Sequence, residues 1–151
     1  MKRINTYIIE KLHLNKDIKP VYNYHPKSND ELKSLVDKLI KERGDKADLN
    51  DIDVSKITDM FKLFFSSNFN GDISQWDVSN VTNMYCMFSG SEFNGDISDW
   101  DVSNVTDMRS MFFDSKFNQD ISSWNVSNVK DMRFMFDDSP LEKNPPSWYH
   151  E

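Results

Sequence analysis

The sequence predicts an α+β repeat protein, in which stacked 24-residue turns with short parallel strands follow an N-terminal amphipathic capping helix. Two observations lead to this fold class: a motif that returns every 24 residues, and a capped apolar stripe that precedes it. The chain has 151 residues, which fits one domain, and its hydrophobic content of 38% fits a soluble protein with a modest core.

A helix with its caps is predicted over residues 28–44. Ser28 and Glu31 have the spacing of a capping box, and Gly44 is a typical helix stop. Apolar residues recur along one side of this helix, which predicts that the helix covers one end of the repeats. A helix that binds a partner protein is the alternative. The apolar residues are Leu32, Leu35, Val36, Leu39 and Ile40.

Residues 47–140 form the repeat array. The segment that begins at Phe69 recurs from Phe93 and from Phe117, each 24 residues after the last, and a partial copy precedes them. A unit this short cannot bury its own apolar row, so we expect the copies to stack and share a core. Parallel pairing at a spacing of ~4.8 Å would align equivalent residues. Three columns are expected: Phe69, Phe93 and Phe117; Trp76, Trp100 and Trp124; Met84, Met108 and Met132.

Polar residues repeat as faithfully as the apolar ones, as Asp72, Asp96 and Asp120 show. Short Asp, Asn and Ser side chains satisfy backbone groups at tight corners, so we predict local hydrogen bonds for these residues. Calcium binding is the alternative, because repeated carboxylates supply oxygen ligands. The glycine-rich pattern of calcium-binding repeats is missing from the sequence, and we predict no metal site.

Residues 141–151 are predicted to be a C-terminal cap. Pro145 and Pro146 lack backbone donors, so this degenerate copy should not add a full strand. Trp148 falls in the Trp column and is expected to fold over the last turn, where it covers Trp124 and Phe136. The tail residues expected to face water are Glu142, Lys143 and His150.

One family resemblance rests on the repeated unit Phe-Asn-x-Asp-Ile-Ser-x-Trp-x-Val-Ser-Asn-Val-x-x-Met-x-x-Met-Phe. This unit resembles the BspA-like bacterial surface-repeat family, which is also seen in mycoplasma lipoproteins and is related to leucine-rich repeats. The resemblance implies a leucine-rich-repeat-like solenoid and a surface or binding protein that has no catalytic residues.

Residues 1–18 are predicted to be a leader or appendage. Residues 4–16 resemble a leader that precedes unrelated domains in proteins of gut Bacteroidales and their phages. The segment is interpreted as a docking or sorting tag, or as a helix on the array or a disordered tail. The unbroken apolar run of a secretory signal is missing, which favours a cytoplasmic or virion-associated protein unless a signal was removed.

Charge and composition argue against several classes of function. Residues 47–151 carry 7 basic and 18 acidic residues, so we expect no nucleic-acid partner for this segment. No apolar run is long enough for a transmembrane segment. The lone Cys86 and the scattered His13, His25 and His150 form no catalytic pattern, so we expect a protein that is not an enzyme and needs no cofactor.

Positions that change from copy to copy are the candidates for partner binding, because core and corner positions stay fixed. The sequence predicts a non-catalytic module that binds a protein or glycan. The alternative is a structural or assembly component of a phage or mobile element, targeted by the leader. The candidate residues form two strips: Gln75, Asp77, Asp99, Asp101 and Ser123 beside the Trp column, and Tyr85, Arg109 and Arg133.

Overall fold

Helix α1 spans Asn29–Arg43 and is the one helix in residues 20–151, the part of the chain that the structure, a computed structural model, describes. The predictions for residues 1–18 lie outside the described residues. The hydroxyl of Ser28 accepts the N–H of Glu31 at 3.2 Å, as the capping box predicts. The apolar stripe of α1 packs on the repeats, and three of its residues are fully buried: Leu32, Val36 and Leu39.

The copies of the repeat stack in the register that the sequence predicts. Isolated parallel bridges join each residue of one column to its equivalent 24 positions later, and the column consists of Asp59, Asn83, Asp107 and Asp131. Neighbouring copies therefore lie side by side along their whole length. This stacking supplies the shared core that a single copy cannot form alone.

The predicted strands are not found in residues 20–151, where parallel pairing is limited to isolated bridges and no sheet forms. The predicted α+β repeat, a leucine-rich-repeat-like solenoid with short parallel strands, is therefore wrong. The backbone donors give the reason, because they alternate between two kinds of acceptor. The N–H of Met84 donates to the carbonyl of Asp107 in the next copy, whereas the N–H of Met87 donates back to Met84 within a turn. Overlapping turns thus use donors that a strand ladder would need.

A left-handed backbone occurs at two positions of every copy and makes these turns possible. A turn closed by a hydrogen bond between its first and fourth residues can require a positive φ at its third residue. Only Gly90 adopts this conformation without strain, so stacking must offset about 1–3 kcal/mol at each of the others. The two sets are Lys62, Cys86, Ser110 and Phe134, and Ser66, Gly90, Asp114 and Asp138.

Aromatic columns form the core along the stack. The ring of Phe93 lies 6.0 Å from that of Phe69 and 6.2 Å from that of Phe117, centroid to centroid. Trp100 stacks on Trp76 and is 4% exposed, which confirms its predicted burial. The sequence analysis missed a further column, whose rings stack at 5.5 to 5.8 Å: Phe64, Phe88, Phe112 and Phe136.

Carboxylate and amide side chains hold the corners of each copy. One carboxylate oxygen of Asp96 accepts the N–H of Ser98 at 3.0 Å and its hydroxyl at 2.7 Å, which confirms the local hydrogen bonds predicted for Asp96. The same contact to the N–H two residues later recurs at three corners in each copy. The corner residues are Asp48, Asp72, Asp96 and Asp120; Asp53, Asp77, Asp101 and Asn125; Asp59, Asn83, Asp107 and Asp131.

The two ends of the stack are covered by different elements. At the first end, the amide of Asn29 at the start of α1 donates to the carbonyls of Asp59 and Phe61 at 3.1 and 3.3 Å. At the other end, Trp148 stacks on Trp124 at 6.3 Å, and its indole N–H donates to a carbonyl of the last complete copy at 3.0 Å. The tail residues Glu142, Lys143 and His150 are exposed, as expected.

Candidate partner-binding site

The first strip of predicted binding residues lies along the corners beside the Trp column. Asp101 accepts the N–H and the hydroxyl of Ser103 at 3.0 and 2.5 Å, and these hydrogen bonds lower the pKa of Asp101. Asp77 holds Ser79 in the same way. Asp77 and Asp101 therefore support corners of the fold. All five members are exposed: Gln75, Asp77, Asp99, Asp101 and Ser123.

A shallow pocket of about 300 Å³ opens between two copies beside this strip. Its acidic lining residues are Asp72, Asp96 and Asp99. Within residues 20–151, however, no group of three His, Cys, Asp or Glu side chains is arranged to hold a metal ion. The carboxylate of Asp96 instead bonds to Ser98, so the repeated acidic residues act on the backbone of their own copy.

The second strip is a continuous column on another side of the stack. Tyr85, Arg109 and Arg133 occupy equivalent positions in successive copies, and the structure brings them together. The guanidinium carbon of Arg109 lies 4.7 Å from the centroid of the Tyr85 ring. Phe61 extends the column by one copy, with its ring centroid 5.5 Å from that of Tyr85. Two aromatic groups followed by two cationic groups thus run along the stack.

Carboxylates of the neighbouring bridge column fix the two arginines. Arg109 contacts Asp107 at 2.6 Å and Asp131 at 3.6 Å, and Arg133 contacts Asp131 at 2.7 Å. The hydrogen bond from Arg133 lowers the pKa of Asp131 to about 2, so this carboxylate stays charged at any physiological pH. The guanidinium groups are therefore ordered before any partner arrives, which reduces the entropy lost on binding.

Three exposed phenylalanines adjoin the column and were missing from the predicted site. Phe61, Phe65 and Phe134 are 37%, 44% and 53% exposed, and the ammonium of Lys62 lies 5.2 and 4.8 Å from the first two rings. The 24-residue period could have identified Phe61, because it stands one repeat before Tyr85. We refer to this surface as the aromatic–arginine face; it comprises Phe61, Phe65, Tyr85, Arg109, Arg133 and Phe134.

Histidine and cysteine lie apart from this face or beneath it. The Nδ1 atom of His25 is 3.3 Å from a carboxylate oxygen of Asp53, but the His25 side chain is 65% exposed. Cys86 is buried, and His150 is exposed in the tail. Catalytic acids and bases are usually tuned by burial and by close charged neighbours, and an open pair such as His25 and Asp53 lacks that enclosure. His13 lies outside the described residues.

No helix within residues 20–151 has the length and apolar character needed to cross a bilayer. Residues 31–148 match the family described as "Mycoplasma protein of unknown function, DUF285". The match extends from helix α1 to the Trp148 tail and covers most of the chain, so the protein belongs to this family. No curated protein and no solved structure is significantly similar to it.

Proposed function

From its membership of a repeat family of unknown function, and from its surface, we propose that this chain is a non-catalytic binding module. Its aromatic–arginine face contacts a protein partner. The finer resemblance to BspA-like surface-repeat proteins supports a binding role. The single observation that carries the proposal is the ordered column in which the guanidinium carbon of Arg109 lies 4.7 Å from the centroid of the Tyr85 ring.

Residue composition favours the aromatic–arginine face over the first strip as the contact surface. Tyrosine, phenylalanine and arginine are enriched at protein interfaces, and aspartate and serine are depleted. The first strip consists mainly of the depleted types, and its residues Asp77 and Asp101 already hold corners. The aromatic–arginine face has three exposed phenylalanine rings. Burial of these rings against a partner would lower the free energy of the complex.

A protein partner also fits the charges of this face. Arg109 and Arg133 are paired with Asp107 and Asp131, so the face presents both signs of charge in fixed positions. Fixed charges select a partner whose own charges are complementary and disfavour others. A glycan would use the exposed rings as platforms but would leave most of the charge pattern unused, so we treat it as an alternative outcome of the test.

The contacts of the described polar groups support a non-catalytic role for the module. The repeated carboxylates bond to nearby backbone N–H groups, as Asp96 does with Ser98. The thiol of Cys86 is buried beneath the surface. The pockets beside the acidic positions are shallow grooves between copies, such as the one lined by Asp72 and Asp99.

Affinity capture from the native host tests the proposal with three forms of the chain. The face variant carries Tyr85→Ala and Arg109→Ala, and the matched control carries Gln75→Ala and Asp99→Ala in the first strip. We expect a protein that binds the wild-type chain and the control but is lost with the face variant. A protein lost equally with both variants, or a glycan retained in its place, contradicts the proposal.

A further inference from the structure

A groove of about 700 Å³ lies at the C-terminal end of the stack and borders the aromatic–arginine face at Arg133. One wall is the last copy, residues 126–133, and the other is formed by Trp148, His150 and Glu151. Its apolar lining is only partly buried, whereas the equivalent residues one and two copies earlier are covered by the next copy. The apolar lining residues are Val126, Val129 and Met132.

The backbone along this groove carries pairing groups that other copies use. One copy earlier, the carbonyl of Thr106 accepts an N–H of the last copy at 2.8 Å. The N–H groups of Met108 and Ser110 donate to carbonyls of that copy at 2.9 and 3.0 Å. The equivalent groups of the last copy pair with no residue of the described range 20–151. They are the carbonyl of Lys130 and the N–H groups of Met132 and Phe134.

This edge has the hydrogen-bonding pattern that an extended segment completes. One acceptor at residue 130 and donors at residues 132 and 134 match the alternating groups of a chain that runs parallel to the edge. Adding such a segment would repeat the contacts that every earlier copy already makes. Edges of this kind are the surfaces to which proteins add an extended peptide.

The groove carries both signs of charge: Lys130 and Arg133 line the wall of the last copy, and Glu151 lines the tail wall. Burial raises the pKa of Asp137, and the neighbouring carboxylates of Glu151, Glu142 and Asp138 raise it further. These four carboxylates are close enough to repel one another. A basic side chain placed beside Glu151 in the groove would offset part of that repulsion.

We propose that this groove binds an extended polypeptide segment of a partner protein. The segment pairs in parallel with the backbone of residues 130–134 and places apolar side chains on Val126, Val129 and Met132. A basic side chain of the segment lies near Glu151 on the tail wall. The groove borders the aromatic–arginine face at Arg133, but the proposed pairing uses the backbone of residues 130–134 and does not require the proposed function of that face.

A second copy of the chain fits the edge less well than a foreign segment. Two such edges paired with each other would bring two sets of tail carboxylates together, and like charges repel. Pairing of the C-terminal edge of one chain with the α1 end of a second chain is also hindered. The carbonyls of Asp59 and Phe61 at that end already accept the amide of Asn29.

A peptide with the sequence of residues 126–136 is the probe, because this segment makes the same pairing contacts to the copy before it. It carries Lys130 and Arg133 as basic residues. The full chain is labelled with ¹⁵N, and amide hydrogen exchange is measured with and without the peptide. We expect exchange at Met132 and Phe134 to slow about tenfold on binding, with the already paired amides of Met108 and Ser110 unchanged.

Two variants test whether the peptide binds in the groove. Val129→Lys puts a charge on the apolar lining and should weaken peptide binding about tenfold, whereas the exposed control Ser122→Lys should leave it unchanged. The face variant Tyr85→Ala, Arg109→Ala should bind the peptide normally. The peptide experiment can therefore fail while the proposed function of the aromatic–arginine face holds, and the reverse is also possible.

Three results overturn the proposal. The first is unchanged exchange at Met132 and Phe134 with peptide at about 1 mM. The second is protection of both amides in the free, dilute chain, which would mean that another part of the same chain fills the groove. The third is protection that appears only as the chain dimerises at higher concentration, which would make a second copy the occupant.

Discussion

The two ends of the stack cover the same repeated core to different extents. At the α1 end, Leu32, Val36 and Leu39 are fully buried, and a side-chain amide bonds to two edge carbonyls. At the C-terminal end, Trp148 and Tyr149 pack on the last aromatic rings, but Met132 stays partly exposed. The difference indicates that α1 closes the stack, whereas the tail covers only part of its end and leaves a groove.

The largest loss of stability is expected for a substitution in the middle of the stack. Trp100 is covered on both sides and is 4% exposed, so Trp100→Ala removes a large buried side chain and leaves a cavity. We expect a loss of about 3–5 kcal/mol in the free energy of unfolding. Urea unfolding measures it, and a loss below about 1 kcal/mol would mean that the columns do not carry the stability of the stack.

The α1 end should respond almost as strongly as the middle. Leu39 is fully buried under the repeats, and Leu39→Ala should cost about 3 kcal/mol through lost burial and a cavity. The matched control is Lys38→Ala on the exposed side of α1, which should change stability by no more than about 0.5 kcal/mol. Equal effects in the two variants would show that α1 is not packed as described.

The C-terminal end should respond more weakly to the loss of a tryptophan. Trp148 is partly buried and has no copy stacked beyond it, so Trp148→Ala leaves an open surface in place of an internal cavity. We expect a loss of about 2 kcal/mol, clearly less than for Trp100→Ala. A loss as large as that of Trp100→Ala would indicate that the tail closes its end as fully as α1 does.

The smallest expected effect is a difference in pH dependence between Asp51 near the α1 end and Asp137 near the C-terminal end. Burial would raise the pKa of Asp51 near the α1 end, but hydrogen bonds from Arg43 and Asn23 outweigh it and lower that pKa. The stability that Asp51 contributes is therefore present above its usual pKa of 3.8 and is lost as the pH falls through the lowered value. At the other end, the raised pKa of Asp137 makes its contribution favourable at low pH, and that contribution is lost as the pH rises through the raised value.

Asparagine variants separate these two responses. At neutral pH, Asp51→Asn should lower the thermal midpoint and Asp137→Asn should raise it slightly, and each difference should shrink as the pH falls through the pKa of that carboxyl. Carboxyl NMR titration of the wild-type chain gives the two pKa values directly. A pKa for Asp137 below that of Asp51 would contradict the charge distribution described for the two ends.

The sequence predicted the register and the ends better than the local backbone. The 24-residue period aligned Trp76 with Trp100, and Ser28 with Glu31 marked the start of α1. Strands were predicted wrongly because the turns depend on left-handed residues of many types, and only Gly90 among them is a recognisable signal. No local propensity identifies Phe134 or Lys62 as a turn residue, since the stacked copies impose that conformation.

The candidate site was predicted in part for a related physical reason. Variation between copies identified Tyr85, Arg109 and Arg133, which the structure places in one column. Variation alone could not reveal that Asp101 and its equivalents hold corners, because asparagine accepts the same backbone N–H at the equivalent position 125.

The alternation of backbone donors between copies and turns is the central claim, and hydrogen-bond scalar couplings measured by NMR test it most directly. The account predicts couplings from the N–H of Met84 to the carbonyl carbon of Asp107 and from Cys86 to that of Arg109, together with a local coupling from Met87 to Met84. Loss of the couplings between copies, or a coupling from the N–H of Met87 to a neighbouring copy, would contradict it.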